Sequence, residues 1–222
     1  MIDILFEDRD ILVCIKPAGL LSEAGGADAS LPSALEAQMS GEGRETRLFA
    51  VHRLDREVSG VMVFAKNQAA AADLSRQVAD RSFEKTYMAV VEGVPALAED
   101  TLTDLLFKDS RKNKSFVVDR KRAGVKEASL EYVPIAVYES EKGKKTLVKV
   151  KLHTGRYHQI RAQLSSRKLP IVGDGKYGSR DNGAKLPALF AFRLAFEING
   201  KKYEFEKMPD TENYPWSLFN YD

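Results

Sequence analysis

Short apolar runs of period two dominate the chain, broken by charged or glycine-containing turns. "IDILFED" and "ILVCIKP" read as two strands joined across "EDRD", after which "PAG" turns the chain away. "RLFAVHRL" and "GVMVFAK" read as another pair, with "DREVS" in the connection. "KTYMAVVEG", a region around "SFVVDR", "ASLEYVPIAVYE" and "KTLVKVKL" continue the series, the last with Thr146, Val148, Val150 and Leu152 on one face. "ALFAFRLAFEING" puts Phe190, Phe192, Leu194, Phe196 and Ile198 on one face and pairs with "KKYEFEK" across an Asn-Gly hairpin signal.

Helical period is rarer. "LPSALEAQM" is a short candidate, and Asn67 is placed to cap "QAAAADLSRQVADR". "GRYHQIRAQLSSRK" reads as a further helix with Tyr157, Arg161 and Leu164 on one stripe. The pattern predicts an α+β fold, a mostly antiparallel central sheet with helices packed on it. It has no internal repeat, low-complexity tract or obvious linker, so residues 1–222 are expected to form one domain.

At 222 residues and 44% apolar content the chain can bury a large core, as one body or two lobes. The net charge of +2 is too small for a general attraction to polyanions, so such a partner needs local clustering of cations. The one cysteine, Cys14, cannot form an internal disulfide and is expected as a buried strand thiol, which suits a reducing cytoplasm. The start "MIDILFEDRD" has no basic stretch followed by a long apolar run, and no segment approaches the roughly 20 apolar residues of a membrane span. A soluble cytoplasmic protein without a membrane partner is the expectation.

Two patterns suggest chemistry that their context denies. "GDGKYG" at 173–178 fits the letters of a dinucleotide-binding turn, but "SRDNGAKLP" follows where that turn needs a helix. His52, His153 and His158 are unpaired at i,i+4 and far in sequence from Cys14, so metal spacing is absent. A third pattern is more informative. Residues 108–126 carry eight cations against Asp109 and Asp119 around the strand-like "SFVV". This is either a solvated edge hairpin, where lysine discourages sheet pairing, or a finger that tracks a phosphate backbone.

Asp55 lies in "HRLDREVSG" between Arg53 and Arg56, the arrangement of an ordinary surface ion pair. Arg161, on a partly apolar stripe, also needs a carboxylate partner, and Tyr87 in "EKTYMAVVEG" offers a ring and a hydroxyl.

Together "HRLDREVSGVMVFAKN", "KPAGLLS", "EKTYMAVVEG", "HTGRYHQIRAQL", "LPIVGDGKYG" and "ALFAFRLAF" resemble the RluA-type family of RNA pseudouridine synthases, in the family's order and over nearly the whole chain. The resemblance implies the pseudouridine synthase fold, a mixed, mostly antiparallel sheet in two lobes around an active-site cleft, and no cofactor or metal. It implies Asp55 as the catalytic aspartate, Arg161 as its paired arginine and Tyr87 as the active-site tyrosine. Leu164 matches the apolar residue under the target base, and Arg53 a residue that helps hold the flipped nucleotide. Gln163 replaces a frequent histidine and "LSEAGG" the usual continuation after KPAG, departures that bear on substrate choice. With KPAG so near the start, no S4-like RNA-binding domain is expected before it.

The implied reaction breaks the bond from ribose C1′ to uracil N1, turns the base and rejoins it through C5. It needs an ionised carboxylate at the sugar, acting as nucleophile or as base. A paired base cannot reach such a site without flipping, which costs about a few kcal/mol. Arg111, Lys112, Lys114, Arg120, Lys121 and Arg122 of the basic segment would offset that cost on phosphates. The expected partner is a stem-loop of rRNA or tRNA, and the expected assembly a monomer. The competing reading is an RNA-binding module or chaperone that kept the fold without catalysis, with a uracil-releasing nucleosidase more distant.

Overall fold

The computed structural model describes residues 1–25, 28–44, 47–141 and 143–220. The last glycine of "LSEAGG" lies outside them. The class is the expected α+β: mixed, mostly antiparallel sheet structure carrying three helices. The chain divides into two compact units, Met1–Lys85 with Ala191–Met208, and Thr86–Phe190 with Pro209–Asp222.

The first unit is built on β1 (Ile4–Glu7), β2 (Ile11–Lys16), β4 (Ser59–Ala65) and, from Ala191 on, β10 (Leu189–Ile198), which neighbour one another in that order. β1 and β2 pair antiparallel, as do β2 and β4. β11 (Lys201–Glu206) returns along β10 from Ile198↔Lys201, with Asn199 at φ 52° and Gly200 at φ 75°, the two positive φ angles a type I′ hairpin requires. β3 is only Phe49–Ala50, shorter than the apolar run around it predicts. Its pairing with β4 stops at Ala50↔Phe64 because His52 turns inward and its Nε2 accepts the Val63 N–H at 3.2 Å.

Two helices belong to this unit, α1 (Leu31–Gly41) and α2 (Gln68–Asp80). The Asn67 side chain caps α2 by accepting the Ala70 N–H at 2.9 Å, worth about 1 kcal/mol. Ala70 and Leu74 of α2 pack on Ile11, Val13, Val61, Val63, Leu194 and Phe196. Cys14 is fully buried in β2, and burial pushes its thiol up to about 12. Gly60 opens β4 at φ 128°, where a Cβ would lie 2.4 Å from the Ala191 carbonyl oxygen, so only glycine fits.

The second unit orders β5 (Glu84–Glu92), β9 (Gly143–Leu152), β8 (Val125–Ser140), β6 (Asp100–Asp109) and β7 (Lys114–Val118). β6 was not legible as a strand; it pairs antiparallel with both β7 and β8. The basic segment 108–126 is therefore the far end of a three-stranded ribbon. α3 is Gln159–Ser166, shorter at its start than the sequence predicts. His158 takes a left-handed φ of 51°, and the Gln159 side chain accepts from Thr154 Oγ1 at 2.7 Å and the Arg156 N–H at 3.0 Å, tying the approach down as a loop. Tyr157 thus stands outside the helix, and the expected stripe with Arg161 and Leu164 does not form.

Candidate functional site

The loop carrying Asp55 is fixed from below. Lys16, at the end of an otherwise apolar strand, has no exposed surface, and its ammonium donates to the carbonyls of Val58 (2.8 Å), Pro17 (3.0 Å) and Arg56 (3.1 Å). The Ser22 hydroxyl donates to the Leu54 carbonyl at 2.7 Å and accepts the Leu54 N–H at 2.9 Å. Gly19 donates to the Arg56 carbonyl at 2.7 Å, and Val58 to that of Asp55 at 3.0 Å. "KPAG" and "HRLDREVSG" are therefore one structural piece: the first supplies donors that the second's carbonyls use.

Asp55 itself is half-buried. Burial pulls the Lys16 ammonium down to about 8, and the charge of Asp55 pushes it back up, so the two are electrostatic neighbours. The flanking arginines have other partners. Exposed Arg53 pairs with Glu23 at 3.4 Å; exposed Arg56 pairs with Asp28 at 3.6 Å and donates from Nε to the Gly19 carbonyl. Each flanking arginine thus has a carboxylate contact besides any with Asp55.

Tyr87 and Arg161 lie in the second unit. Tyr87, in β5, is 6% exposed. Arg161, in α3, is among the most buried side chains of the protein. Its Nε and Nη2 donate to Asp174 Oδ2 and Oδ1 at 2.6 and 2.8 Å, a bidentate pair that sequence reasoning missed. The signal lay in "GDGKYG": the motif forms no helix, only a single helical turn at Gly175–Tyr177 after the aspartate.

Nη1 of Arg161 lies 3.4 Å from His158 Nε2, and His158 Nδ1 lies 3.1 Å from the Tyr177 hydroxyl. Arginine can only donate, so Nε2 accepts and the ring proton sits on Nδ1, facing Tyr177. Burial, with the Arg161 charge next, pushes the His158 imidazole down to about 3, so it is neutral at physiological pH. Leu164, in α3, has no exposed surface. Gln163 donates to Asp104 Oδ2 at 2.7 Å and to the Leu102 carbonyl at 3.2 Å, while its own oxygen is buried without a hydrogen bond.

The basic ribbon separates its cations into two kinds. Arg111, Lys112, Arg120, Lys121 and Arg122 are exposed. Lys114 is half-buried and seated, its ammonium donating to the Lys176 carbonyl at 2.6 Å. Arg122 lies 4.6 Å over the Phe107 ring, and Arg120 lies 4.0 Å from Asp119, the side chains of this last pair each 90% exposed. Asp109 shapes the tip by accepting the N–H groups of Arg111 and Lys112.

Among the described residues no three His, Cys, Asp or Glu side chains are grouped as a cation would need, and no helix is long and apolar enough to cross a membrane.

The sequence profile of RNA pseudouridylate synthases matches residues 10–166. Over 190 residues, 82% of this chain, the sequence is 39% identical to an uncharacterized RNA pseudouridine synthase of Aquifex aeolicus. Over 226 residues, 94% of this chain, it is 34% identical to the ribosomal large subunit pseudouridine synthase D of Zymomonas mobilis. The chain spans 57% of the first relative and 69% of the second. The fold is similar to that of human RNA pseudouridylate synthase domain containing 1, with a TM-score of 0.80 at 25% identity over 95% of this chain and 84% of that one.

Proposed function

The chain belongs to the RNA pseudouridylate synthase family, and from that premise we propose that it isomerises uridine in structured RNA to pseudouridine, with Asp55 as the catalytic carboxylate. The observation that carries the reading is the Asp55 loop: a half-buried carboxylate on backbone pinned by Lys16 and Ser22, with both flanking arginines in contact with other carboxylates. A surface ion pair has no use for a buried ammonium beneath it.

Asp55 assists departure of N1 from C1′, as nucleophile at C1′ or as base on the sugar. The freed uracil turns and C5 attacks C1′; the C5 proton then leaves and N1 ends protonated, so atoms balance without redox or hydrolysis. Tyr87 stacks on the base and sets its hydroxyl near that proton. Arg161 supplies positive charge to the anionic site, held in place by Asp174. Arg53, exposed and only loosely paired, contacts the flipped nucleotide, and Leu164 supports the floor. The exposed ribbon cations hold phosphates. No cofactor is required. Residues 1–222 act as one catalytic domain, as a monomer in the cytoplasm, and the likeness to the ribosomal large subunit enzyme of Zymomonas favours large-subunit rRNA over tRNA as substrate.

The test is incubation with total RNA and separate measurement of pseudouridine and free uracil, with Asp55→Asn alongside. Pseudouridine from the native protein and none from a normally folded Asp55→Asn supports the reading. Free uracil would indicate a nucleosidase, RNA binding without either product a binding module, and an active Asp55→Asn would return that residue to a structural role.

A further inference from the structure

The turn that supplies Asp174 also supplies Tyr177, a side chain that touches both the basic ribbon and the surroundings of Arg161. Tyr177 is 3% exposed, and two cations approach its ring, Lys114 Nζ at 4.7 Å from the centroid and Arg161 Cζ at 5.1 Å. Its hydroxyl accepts the Ser115 N–H of β7 at 2.8 Å and meets His158 Nδ1 at 3.1 Å. The other ring nitrogen of His158 faces Arg161 Nη1 at 3.4 Å.

We propose that Tyr177 is a positioning residue that couples the seating of the basic ribbon to the orientation of Arg161. This rests on the reading above, in which Arg161 serves the reaction. The guanidinium is held along one edge by Asp174, through Nε and Nη2, and its Nη1 faces His158 Nε2. His158 has its tautomer and angle set by the Tyr177 hydroxyl. That hydroxyl is also anchored to β7: the bond comes from the main chain of Ser115, so a shift of the strand moves it directly.

Three further contacts make the junction stiff. Lys114 donates to the Lys176 carbonyl, the Ser115 hydroxyl donates to the Tyr157 carbonyl, and Tyr157 stacks on His158 with centroids 3.9 Å apart. Lys108 of β6 closes the stack, 4.3 Å over the Tyr157 ring. A tyrosine that merely filled the core would need no such hydroxyl; here phenylalanine would take this acceptor away from the buried Ser115 N–H and from His158 Nδ1. The arrangement instead gives RNA docking on the ribbon a short mechanical path to Arg161: Ser115, Tyr177, His158.

The test uses Tyr177→Phe, which keeps the ring and deletes the hydroxyl, together with Lys114→Gln and the double variant. Each is assayed for single-turnover rate at saturating enzyme, RNA affinity, melting temperature and the Arg161 Nε–H resonance in arginine-labelled protein. Tyr177→Phe is expected to slow the chemical step about fivefold to tenfold, the worth of one buried hydrogen bond, with affinity changed less than about twofold. Lys114→Gln is expected to shift the Arg161 resonance in the native background and to leave it unmoved once the hydroxyl is gone, a non-additivity that packing alone does not produce.

An unchanged rate in Tyr177→Phe, or strictly additive effects of the two substitutions, overturns the proposal. If Tyr177→Phe does not fold, His158→Gln breaks the same path one step later and replaces it throughout. If the native protein makes no pseudouridine in any RNA, the functional reading fails and the resonance alone decides the coupling: a Lys114→Gln shift that vanishes with the hydroxyl supports it, and a stationary signal overturns it.

Discussion

Arg161 and Asp174 meet edge to edge, both oxygens bonded and 1% of each side chain exposed. Removing Arg161 takes this bidentate partner from a carboxylate buried in the interior, and removing Asp174 takes it from a buried guanidinium. Arg161→Met and Asp174→Asn are each expected to lose about 3–5 kcal/mol in denaturant unfolding. A loss below about 1 kcal/mol in both would mean that the pair is open to water in solution. Activity lost in either variant has to be compared with its melting curve before a chemical role is assigned.

Lys16→Met is expected to slow turnover while RNA affinity holds, because it frees the Asp55 loop without touching the basic ribbon. Each carbonyl left unpaired costs about 1–3 kcal/mol where water cannot reach it. The native protein carries a related signature. Above about pH 8 the ammonium gives up a proton and one donor, so the rate declines there. Stability moves the other way: from about 8 to the ordinary lysine value near ~10.4 the unfolded chain holds the proton that the native state has released, so stability rises with pH. A flat rate profile from pH 7 to 9 would contradict this role.

The two buried histidines set the acid limit. Burial holds both His52 and His158 down to about 3, so each is neutral when folded and charged when unfolded at moderately acid pH. Their contribution is complete above the unfolded value near ~6.5 and is lost as pH falls towards 3. Going from pH 7 to 5 is expected to cost about 2 kcal/mol for each ring. His52→Asn, which does not titrate, should lose half of that slope in urea unfolding followed across pH. An unaltered slope would show that other groups govern acid sensitivity.

Replacing Arg111, Lys112, Arg120, Lys121 and Arg122 with Ser is expected to weaken RNA binding and flatten its salt dependence by about 0.7–0.9 in log–log slope for each phosphate contact removed. The single-turnover rate at saturating enzyme should hold. Lys114 is left out because it is seated against Lys176 and Tyr177, so its loss disturbs structure as well as charge. Unchanged binding with an unchanged slope would make the exposed tip a solvated ribbon only.

What the sequence disclosed and what it hid divide along one line. Strand and helix positions set by side-chain period were legible: the α2 cap at Asn67 and the β10–β11 turn stand where the residues predict. Features made by side chains replacing backbone partners were not. β3 ends early because the His52 ring takes a strand's hydrogen bond, and α3 starts late because Gln159 ties the preceding loop. Asp55 was legible through its motif, yet the ammonium that fixes its loop was not, since a lysine closing an apolar strand reads as a surface residue until its three carbonyls are seen. Asp174 was hidden by a resemblance in letters: a glycine-rich turn that lacks a nucleotide-binding helix was set aside together with the carboxylate it contains.

Cys14 makes the protein convenient to label. It is the only sulfhydryl in the sequence, fully enclosed in β2, with burial pushing its ionisation up to about 12. Maleimides and spin labels consume thiolate, which this site does not offer while folded. A second cysteine at the ribbon tip, such as Ser110→Cys, would therefore take a fluorophore alone, with no need to engineer a cysteine-free background first. The reaction of Cys14 itself then becomes a clock for opening of the first unit.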